Sequence, residues 1–273
     1  MGNSWPQAAA LESVVQDLDR VAVAVSGGVD SLTLASFVHR LVPARAEMFH
    51  AVSPAVQDEG TRRTRELAAR QGWILRVIDA GEFDNQDYLR NPVNRCYFCK
   101  TSLYGAIRPH TSAQIVSGTN LDDLGEYRPG LIAAKEHGVR HPFVEAGMSK
   151  QQVRSLAREL GLGEVAELPA SPCLSSRVET GIAIQADVLQ SLHAAERMVE
   201  QAIAPRTVRC RVRNAGIVVE LDESSLERLD VVARAELGAR VQALFGATHP
   251  GAPVRFEPYR TGSAFLHFKP ALR

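Results

Sequence analysis

The sequence predicts an α/β protein with a parallel sheet covered by helices on both faces, followed by a smaller α+β region. Three observations carry that prediction. Val21-Ala22-Val23-Ala24-Val25 is an apolar run of the kind that forms a strand buried on both faces, and it leads directly into Ser26-Gly27-Gly28-Val29-Asp30-Ser31. Strand-like and helix-like segments then alternate as far as Ile78, the pattern of β-α-β-α-β units with parallel strands. Beyond Gly181 the texture changes to paired strands and amphipathic helices. The expected domains are residues 1–179 and 180–273.

Apolar residues at helical spacing from Ala8 to Leu18 predict a helix before the first strand. Leu32, Leu34, Ala35, Val38 and Leu41 continue the glycine turn as a second helix. Ala46–Val52 reads as the second strand, Ala55–Gln71 as a charged amphipathic helix ending near Gly72, and Trp73–Ile78 as the third strand. The pattern breaks at Gly81. Glu82 to Tyr97 is polar, and a helix resumes over Leu103–Ile107. Gln114–Ser117 is a short strand with Gly118-Thr119-Asn120-Leu121-Asp122-Asp123 at its carboxyl end. Arg128-Pro129-Gly130 opens a helical stretch to His137. Ser149-Lys150-Gln151-Gln152 is a capping box whose helix stops at Gly161. Leu168–Arg177 fits neither period. Asp187–Ile203 and Ser224–Phe245 read as helices, and Val254–Phe256 as a strand. Thr207–Val212 and Ile217–Leu221 alternate as strands around a hairpin signal, Arg213-Asn214-Ala215-Gly216.

Lys and Arg together number 31, as do Asp and Glu, so the formal net charge is zero. A broad nucleic-acid surface needs clustered basic charge, so nucleic acid is not an expected partner. No apolar run approaches the length of a bilayer span, which argues against a membrane role. Met1-Gly2-Asn3-Ser4-Trp5-Pro6 has neither a basic n-region nor an apolar h-region, and Pro6 spoils a myristoylation signal at Gly2. The expected location is the cytoplasm. Four cysteines in such a chain suggest metal or redox chemistry rather than a disulfide scaffold.

The two glycines after the first strand permit a tight turn and a close backbone approach to a ligand. The turn delivers N–H groups to a helix N-terminus, where the dipole favours an anion. Ser26 and Ser31 add hydroxyl donors. This is a phosphate cradle, but not a Walker A loop, because no Lys follows the glycines at the required spacing. An ordinary Gly-rich turn is the plainer alternative. The six residues Ser26, Gly27, Gly28, Val29, Asp30 and Ser31 resemble the PP-loop of ATP pyrophosphatases. That resemblance implies cleavage of ATP between the α and β phosphates and adenylation of a substrate oxygen. By strand order, Thr119 and Asn120 face the same site, and Asp30 and Asp122 are candidates for Mg²⁺. The alternative for Asp122 and Asp123 is a solvated loop.

Cys96 and Cys99 form a Cys-x-x-Cys pair behind a polar, Pro-containing segment, unlike a thioredoxin motif, which follows a strand. Cys173 is a third candidate ligand, while Cys210 sits inside an apparent strand. A structural zinc site needs four ligands. Three thiolates suit a 4Fe-4S cluster with one open iron, and three unrelated thiols remain the alternative.

Taken together, several stretches resemble the LarE-type sulfur transferases of nickel-pincer nucleotide synthesis. They are Ser26–Ser31, Asn94-Arg95-Cys96-Tyr97-Phe98-Cys99-Lys100, Gly118–Asp123 and Tyr127-Arg128-Pro129-Gly130. Pro169-Ala170-Ser171-Pro172-Cys173-Leu174-Ser175-Ser176-Arg177 and Tyr259-Arg260-Thr261-Gly262-Ser263 complete the match. Glu164–Leu168 and Ala264–Phe268 differ from the usual family pattern. The resemblance implies adenylation of a carboxylate on a pyridinium dicarboxylate mononucleotide, then replacement of oxygen by sulfur. In one subgroup the cysteine matching Cys173 gives up its sulfur and becomes dehydroalanine. In the other, three cysteines bind a 4Fe-4S cluster, and this chain has all three.

ATP, Mg²⁺ and that cluster are therefore the expected cofactors. A small nucleotide substrate, sulfide or another sulfur donor, and a homo-oligomeric assembly are the expected partners. Cys173, Cys96 and Cys99 are the candidate catalytic residues. Arg95, Lys100 and Arg177 flank the cysteines and suit an anionic substrate, with plain surface charge as the alternative. Arg211, Arg213 and Arg260 could hold the substrate's phosphate, with a solvated strand face as the alternative. Rival readings are an amide ligase of the NAD-synthetase kind, a tRNA thiolase, and a non-catalytic nucleotide sensor.

Overall fold

The computed structural model describes residues 6–125 and 127–265; the N-terminal stretch Met1–Trp5 and the tail residues Leu266, His267 and Phe268 lie outside them. The chain forms two compact units, residues 1–85 with 94–171, and residues 86–93 with 172–273. The division falls between Ser171 and Pro172, ahead of the expected 179/180 boundary, and the short insert 86–93 joins the second unit. No helix among the described residues is long and apolar enough to cross a membrane.

The first unit is a four-stranded parallel sheet in the order β3-β2-β1-β4, from β1 (Val21–Ala24), β2 (Ala46–Val52), β3 (Leu75–Asp79) and β4 (Gln114–Ser117). Central β1 is buried throughout, as its apolar run requires. Its residues alternate between two cores. Val21 and Val23 pack with helices α1 (Pro6–Gln16), α2 (Val29–Leu41), α3 (Asp58–Gln71), α7 (Pro142–Glu145) and α8 (Lys150–Glu159). Ala22 and Ala24 pack on the other face with α5 (Arg95–Ile107) and α6 (Gly130–Glu136). Strand order reverses between β1 and β4, so the loops leaving these strands flank the crevice where such sheets bind ligands. The expected capping box at Ser149 is present, and Gly161 adopts φ +71° where its helix stops.

Two expectations about elements change. Glu82–Tyr97 is not a continuous loop: a short helix, α4 (Gln86–Leu89), forms within it, and α5 already begins at Arg95. Ser224–Phe245 is two helices, α10 (Glu223–Glu227) and α11 (Val231–Leu244), because the Asp230 carboxylate accepts from Ala233 N at 2.8 Å and caps a fresh start.

In the second unit β5 (Val208–Arg213) pairs antiparallel with β6 (Gly216–Leu221), which pairs parallel with β7 (Val254–Pro258). Helix α9 (Ala186–Ile203) buries Leu189, Leu192, Ala195 and Val199. The 86–93 insert is held by polar bonds. Tyr88 Oη lies 2.6 Å from Ser175 Oγ, and the fully buried Asn91 amide reaches the Glu179 and Ile182 carbonyls at 2.9 Å. Buried charges are paired in the same unit. Arg177 donates to both carboxylate oxygens of Glu196, at 2.9 and 3.2 Å. Arg211 Nε donates to Glu220 at 2.8 Å, and Arg213 spans Glu220 and Glu257 at 2.6 and 3.0 Å.

Breaking a buried pair from one side leaves an uncompensated charge. Arg177→Ala is therefore expected to destabilise the protein by about 3–5 kcal/mol, read as a lowered denaturant midpoint. Glycines give a second expectation. At Gly27, φ is +82° and a Cβ would lie 2.5 Å from the Gly60 carbonyl oxygen, whereas at Gly72, φ +72°, a Cβ meets nothing. Gly27→Ala should cost about 3 kcal/mol and Gly72→Ala about 1 kcal/mol in parallel thermal melts.

Candidate active site

β1 ends in a loop that folds back on itself. Ser31 Oγ accepts from Ser26 N at 3.0 Å, lies 3.1 Å from Ser26 Oγ, and donates to the Gly28 carbonyl at 3.1 Å. Gly28 is the N-cap of α2 and offers no capping side chain, so the first-turn N–H groups stay open to an anion. The loop is braced from α3. Gly60 abuts Gly27, and Arg63 Nη1 donates to the Gly27 carbonyl at 2.5 Å. Buried His50 bridges the Val25 carbonyl and Thr61 Oγ1, both at 2.9 Å, and burial lowers its pKa.

The loop after β4 lies against this cradle. A Cβ on Gly118 would sit 2.8 Å from the carbonyl carbon of Asp30 and from Ser31 N, so only glycine fits. Asn120 Nδ2 donates to Asp30 Oδ1 at 3.3 Å. Lys150, at the start of α8, donates from Nζ to Asp30 Oδ2 at 2.5 Å and from its backbone N–H to Asp122 Oδ2 at 2.6 Å. The cradle, Thr119, Asn120, Asp30 and Asp122 thus share one corner of the first unit. Magnesium is commonly held by one or two carboxylates together with substrate phosphates, so the Asp30 and Asp122 pair fits that ion. Asp123 is engaged elsewhere, accepting from Asn120 N at 3.0 Å and pairing with Arg128 at 2.9 Å.

The four thiols occupy three surroundings. Cys96 and Cys99 are half-buried on the first turns of α5, in the first unit. Gly130 packs there, with a Cβ position 3.0 Å from Lys100 Cγ and 3.4 Å from the Cys96 carbonyl oxygen, which accounts for the glycine in Arg128-Pro129-Gly130. Cys173, in the second unit, is exposed at the N-cap of a 3₁₀ turn over Leu174–Arg177. Cys210 is fully buried in β5, and burial pushes its thiol pKa up. Among the described residues no three His, Cys, Asp or Glu side chains form a group able to hold one metal ion.

The candidate arginines are not plain surface charge, except one. Arg95, Arg177 and Arg211 are buried, Arg213 is half-buried, and Arg260 is exposed. Arg177 Nη1 donates to the Pro172 carbonyl and to Ser176 Oγ, both at 2.9 Å, and so braces the segment bearing Cys173. Arg211 Nη1 donates to the Ser176 carbonyl at 3.1 Å. Arg211 and Arg213 are thus bound to Glu220 and their own framework rather than lying on a solvated strand face.

Sequence reasoning passed over Lys150, Arg63, Ser117 and His141. Lys150 was absorbed by the capping box, and Arg63 by a helix dense in charge. No local signal ties either to the glycine turn.

No family model matches the chain. Relatives do. An uncharacterized protein of Synechocystis sp. is 34% identical over 90% of this chain and 92% of its own length. An uncharacterized protein of Methanocaldococcus jannaschii is 24% identical over 75% of this chain and 78% of its own. The pyridinium-3,5-bisthiocarboxylic acid mononucleotide synthase of Lactiplantibacillus plantarum is 31% identical over 80% of both chains. With the glycine cradle, the Cys-x-x-Cys helix and the exposed Cys173 in place, that extent of identity puts this chain in the family of pyridinium-3,5-bisthiocarboxylic acid mononucleotide synthases.

Proposed function

We propose that the protein is an ATP-dependent sulfur transferase that converts a carboxylate of a pyridinium dicarboxylate mononucleotide to a thiocarboxylate, in nickel-pincer nucleotide synthesis. The observation that carries the reading is the Ser26–Ser31 cradle, with its uncapped helix start and the Asp30–Lys150–Asp122 cluster beside it. Open N–H groups and hydroxyls would hold the phosphates that leave as pyrophosphate. Mg²⁺ on Asp30 and Asp122 would neutralise the leaving group. The substrate carboxylate then attacks the α-phosphate, giving an acyl-adenylate and pyrophosphate, and sulfur attacks the activated carbonyl and releases AMP. Exposed Arg260 is proposed to receive the substrate's phosphate, while Arg211 and Arg213, committed to Glu220, and Arg177, committed to Glu196, hold the frame around it.

For the sulfur, Cys96, Cys99 and Cys173 are proposed to hold a 4Fe-4S cluster, which when bound would supply an open iron for hydrosulfide. What supports this is the donor set of three thiols with Cys210 set apart by burial. The exposure of Cys173 equally suits a thiol that gives up its own sulfur. An amide ligase would need no cysteines, so activity surviving loss of all three would favour that rival.

Two outcomes are expected. Asp30→Asn or Ser31→Ala should cut ATP-dependent pyrophosphate release by about 10–100-fold while thermal melts stay close to wild type; undiminished release in both would remove the ATP assignment. Anaerobically purified protein should show iron–sulfur absorption, and mass spectrometry after turnover with sulfide should find Cys173 intact with more than one product per chain. Conversion of Cys173 to dehydroalanine in step with product would replace the cluster carrier by a sacrificial cysteine.

A further inference from the structure

Ser117, Thr119 and His141 form a hydrogen-bonded chain that the phosphate cradle does not use. Ser117 ends β4, and its Oγ lies 2.9 Å from His141 Nδ1 and 3.2 Å from Thr119 Oγ1. Thr119 stands between Gly118, whose backbone touches Asp30 and Ser31, and Asn120, whose amide reaches Asp30. Its hydroxyl is therefore the last member of the chain, on the loop that borders the cradle. The far end is fixed in place. His141 N donates to Glu145 Oε1 at 3.2 Å, and Ser117 N donates to the Arg140 carbonyl at 3.1 Å.

We propose that His141 is a positioning residue for nucleotide binding: through Ser117 it sets the direction of the Thr119 hydroxyl, and so whether Thr119 can donate to an anionic oxygen of a bound nucleotide. The inference rests on the reading that the 118–120 loop meets ATP.

The argument is one of hydrogen-bond polarity. Each hydroxyl has a single proton to give. When His141 Nδ1 carries a proton it donates to Ser117 Oγ, Ser117 donates to Thr119 Oγ1, and the Thr119 proton is left for the ligand. When Nδ1 is bare it takes the Ser117 proton, Ser117 takes that of Thr119, and Thr119 presents only lone pairs. Lone pairs repel a phosphate oxygen. Imidazolium has protons on both nitrogens and fixes the donating direction.

Several charges face His141. Burial is the largest influence and lowers its pKa; the Lys100 ammonium lowers it further, and the Glu145 and Asp123 carboxylates oppose. Neighbouring Arg140 is engaged by Glu145. In the free protein the charged form is therefore gained below the ordinary histidine range of about 6.5. A nucleotide that accepts from Thr119 favours the protonated form. The sign follows: affinity rises as pH falls through that window.

The test is the dissociation constant of α,β-methylene-ATP with Mg²⁺, measured by calorimetry at pH 5.5 and 7.5 on wild type, Ser117→Ala, Thr119→Val and Thr119→Ser. The nucleotide's own protonation is common to all four and cancels in their ratios. At pH 5.5 wild type should bind about tenfold more tightly than Thr119→Val, as for a hydrogen bond to a charged group, whereas Ser117→Ala, which frees the Thr119 hydroxyl from His141, should lose the pH dependence relative to wild type. The gap to Thr119→Val should shrink at pH 7.5, and Thr119→Ser should retain it. A wild-type to Thr119→Val ratio that does not change with pH, or a Ser117→Ala variant that keeps the wild-type pH dependence, overturns the inference while leaving ATP binding standing. Wild type that binds no analogue at either pH overturns the nucleotide reading itself, and the role of the chain with it.

Discussion

Gly27 and Gly60 bring two backbones together with no side chain between them, and the shape of the turn leaving β1 depends on that contact. The turn leaving β1 must reverse within a few residues and still point its N–H groups outward. Positive φ at Gly27 achieves the reversal, and α3 then holds the turn through Arg63 and His50. On the opposite flank Gly118 makes a second backbone contact, with Asp30 and Ser31. A Cβ at either glycine would push the braces apart. The cradle is therefore shaped before any ligand arrives, which is the condition for electrostatic stabilisation without reorganisation.

The second unit solves a different problem. It buries several arginines in a small domain and must leave none without a counter-charge. Glu196 serves two partners at once, accepting from Arg177 and from Cys210 N at 2.9 Å each. Glu220 serves Arg211, Arg213 and Ser263. Such networks give little net stability relative to apolar packing, but they fix geometry, because Arg177, Arg211 and Arg213 are each tied to a carboxylate. The geometry fixed here is that of the Pro172–Arg177 turn, whose carbonyls and hydroxyl are held by Arg177 and Arg211.

Much of the first unit was legible because its signals are local. An apolar run, a glycine turn and a capping box each announce themselves within a few residues, and β2 and β4 fall on the spans that periodicity marks. The start of α5 was not, because Arg95-Cys96-Tyr97-Phe98-Cys99-Lys100 has no apolar stripe; its helix is supported by packing against α6. Nor was the placement of residues 86–93 with the second unit, since the Asn91 partners lie 87 to 91 residues away. At the site, Asp30 was legible and its partner Lys150 was not, for the same reason: their separation in sequence is 120 residues. Long-range polar pairing leaves no periodic trace, whereas backbone turns do.

Thiol chemistry makes the same distinction between residue type and surroundings. The sequence already sets Cys210 apart inside an apparent strand, and its surroundings agree, since only exposed or half-buried thiols can meet sulfide, iron or an activated carbonyl. Cys210 is removed from that chemistry by burial, which disfavours its thiolate. Cys96 and Cys99 stand one turn apart on a helix, so their spacing is set by backbone geometry rather than by side-chain choice. Cys173 is exposed, but its backbone carbonyl accepts from Ser176 N at 3.0 Å and its flanking turn is clamped by a buried arginine. An exposed thiol on a rigid frame meets the demand of sulfur transfer from either source. The sulfur must be reachable, and the carbonyl it attacks tolerates little error in position.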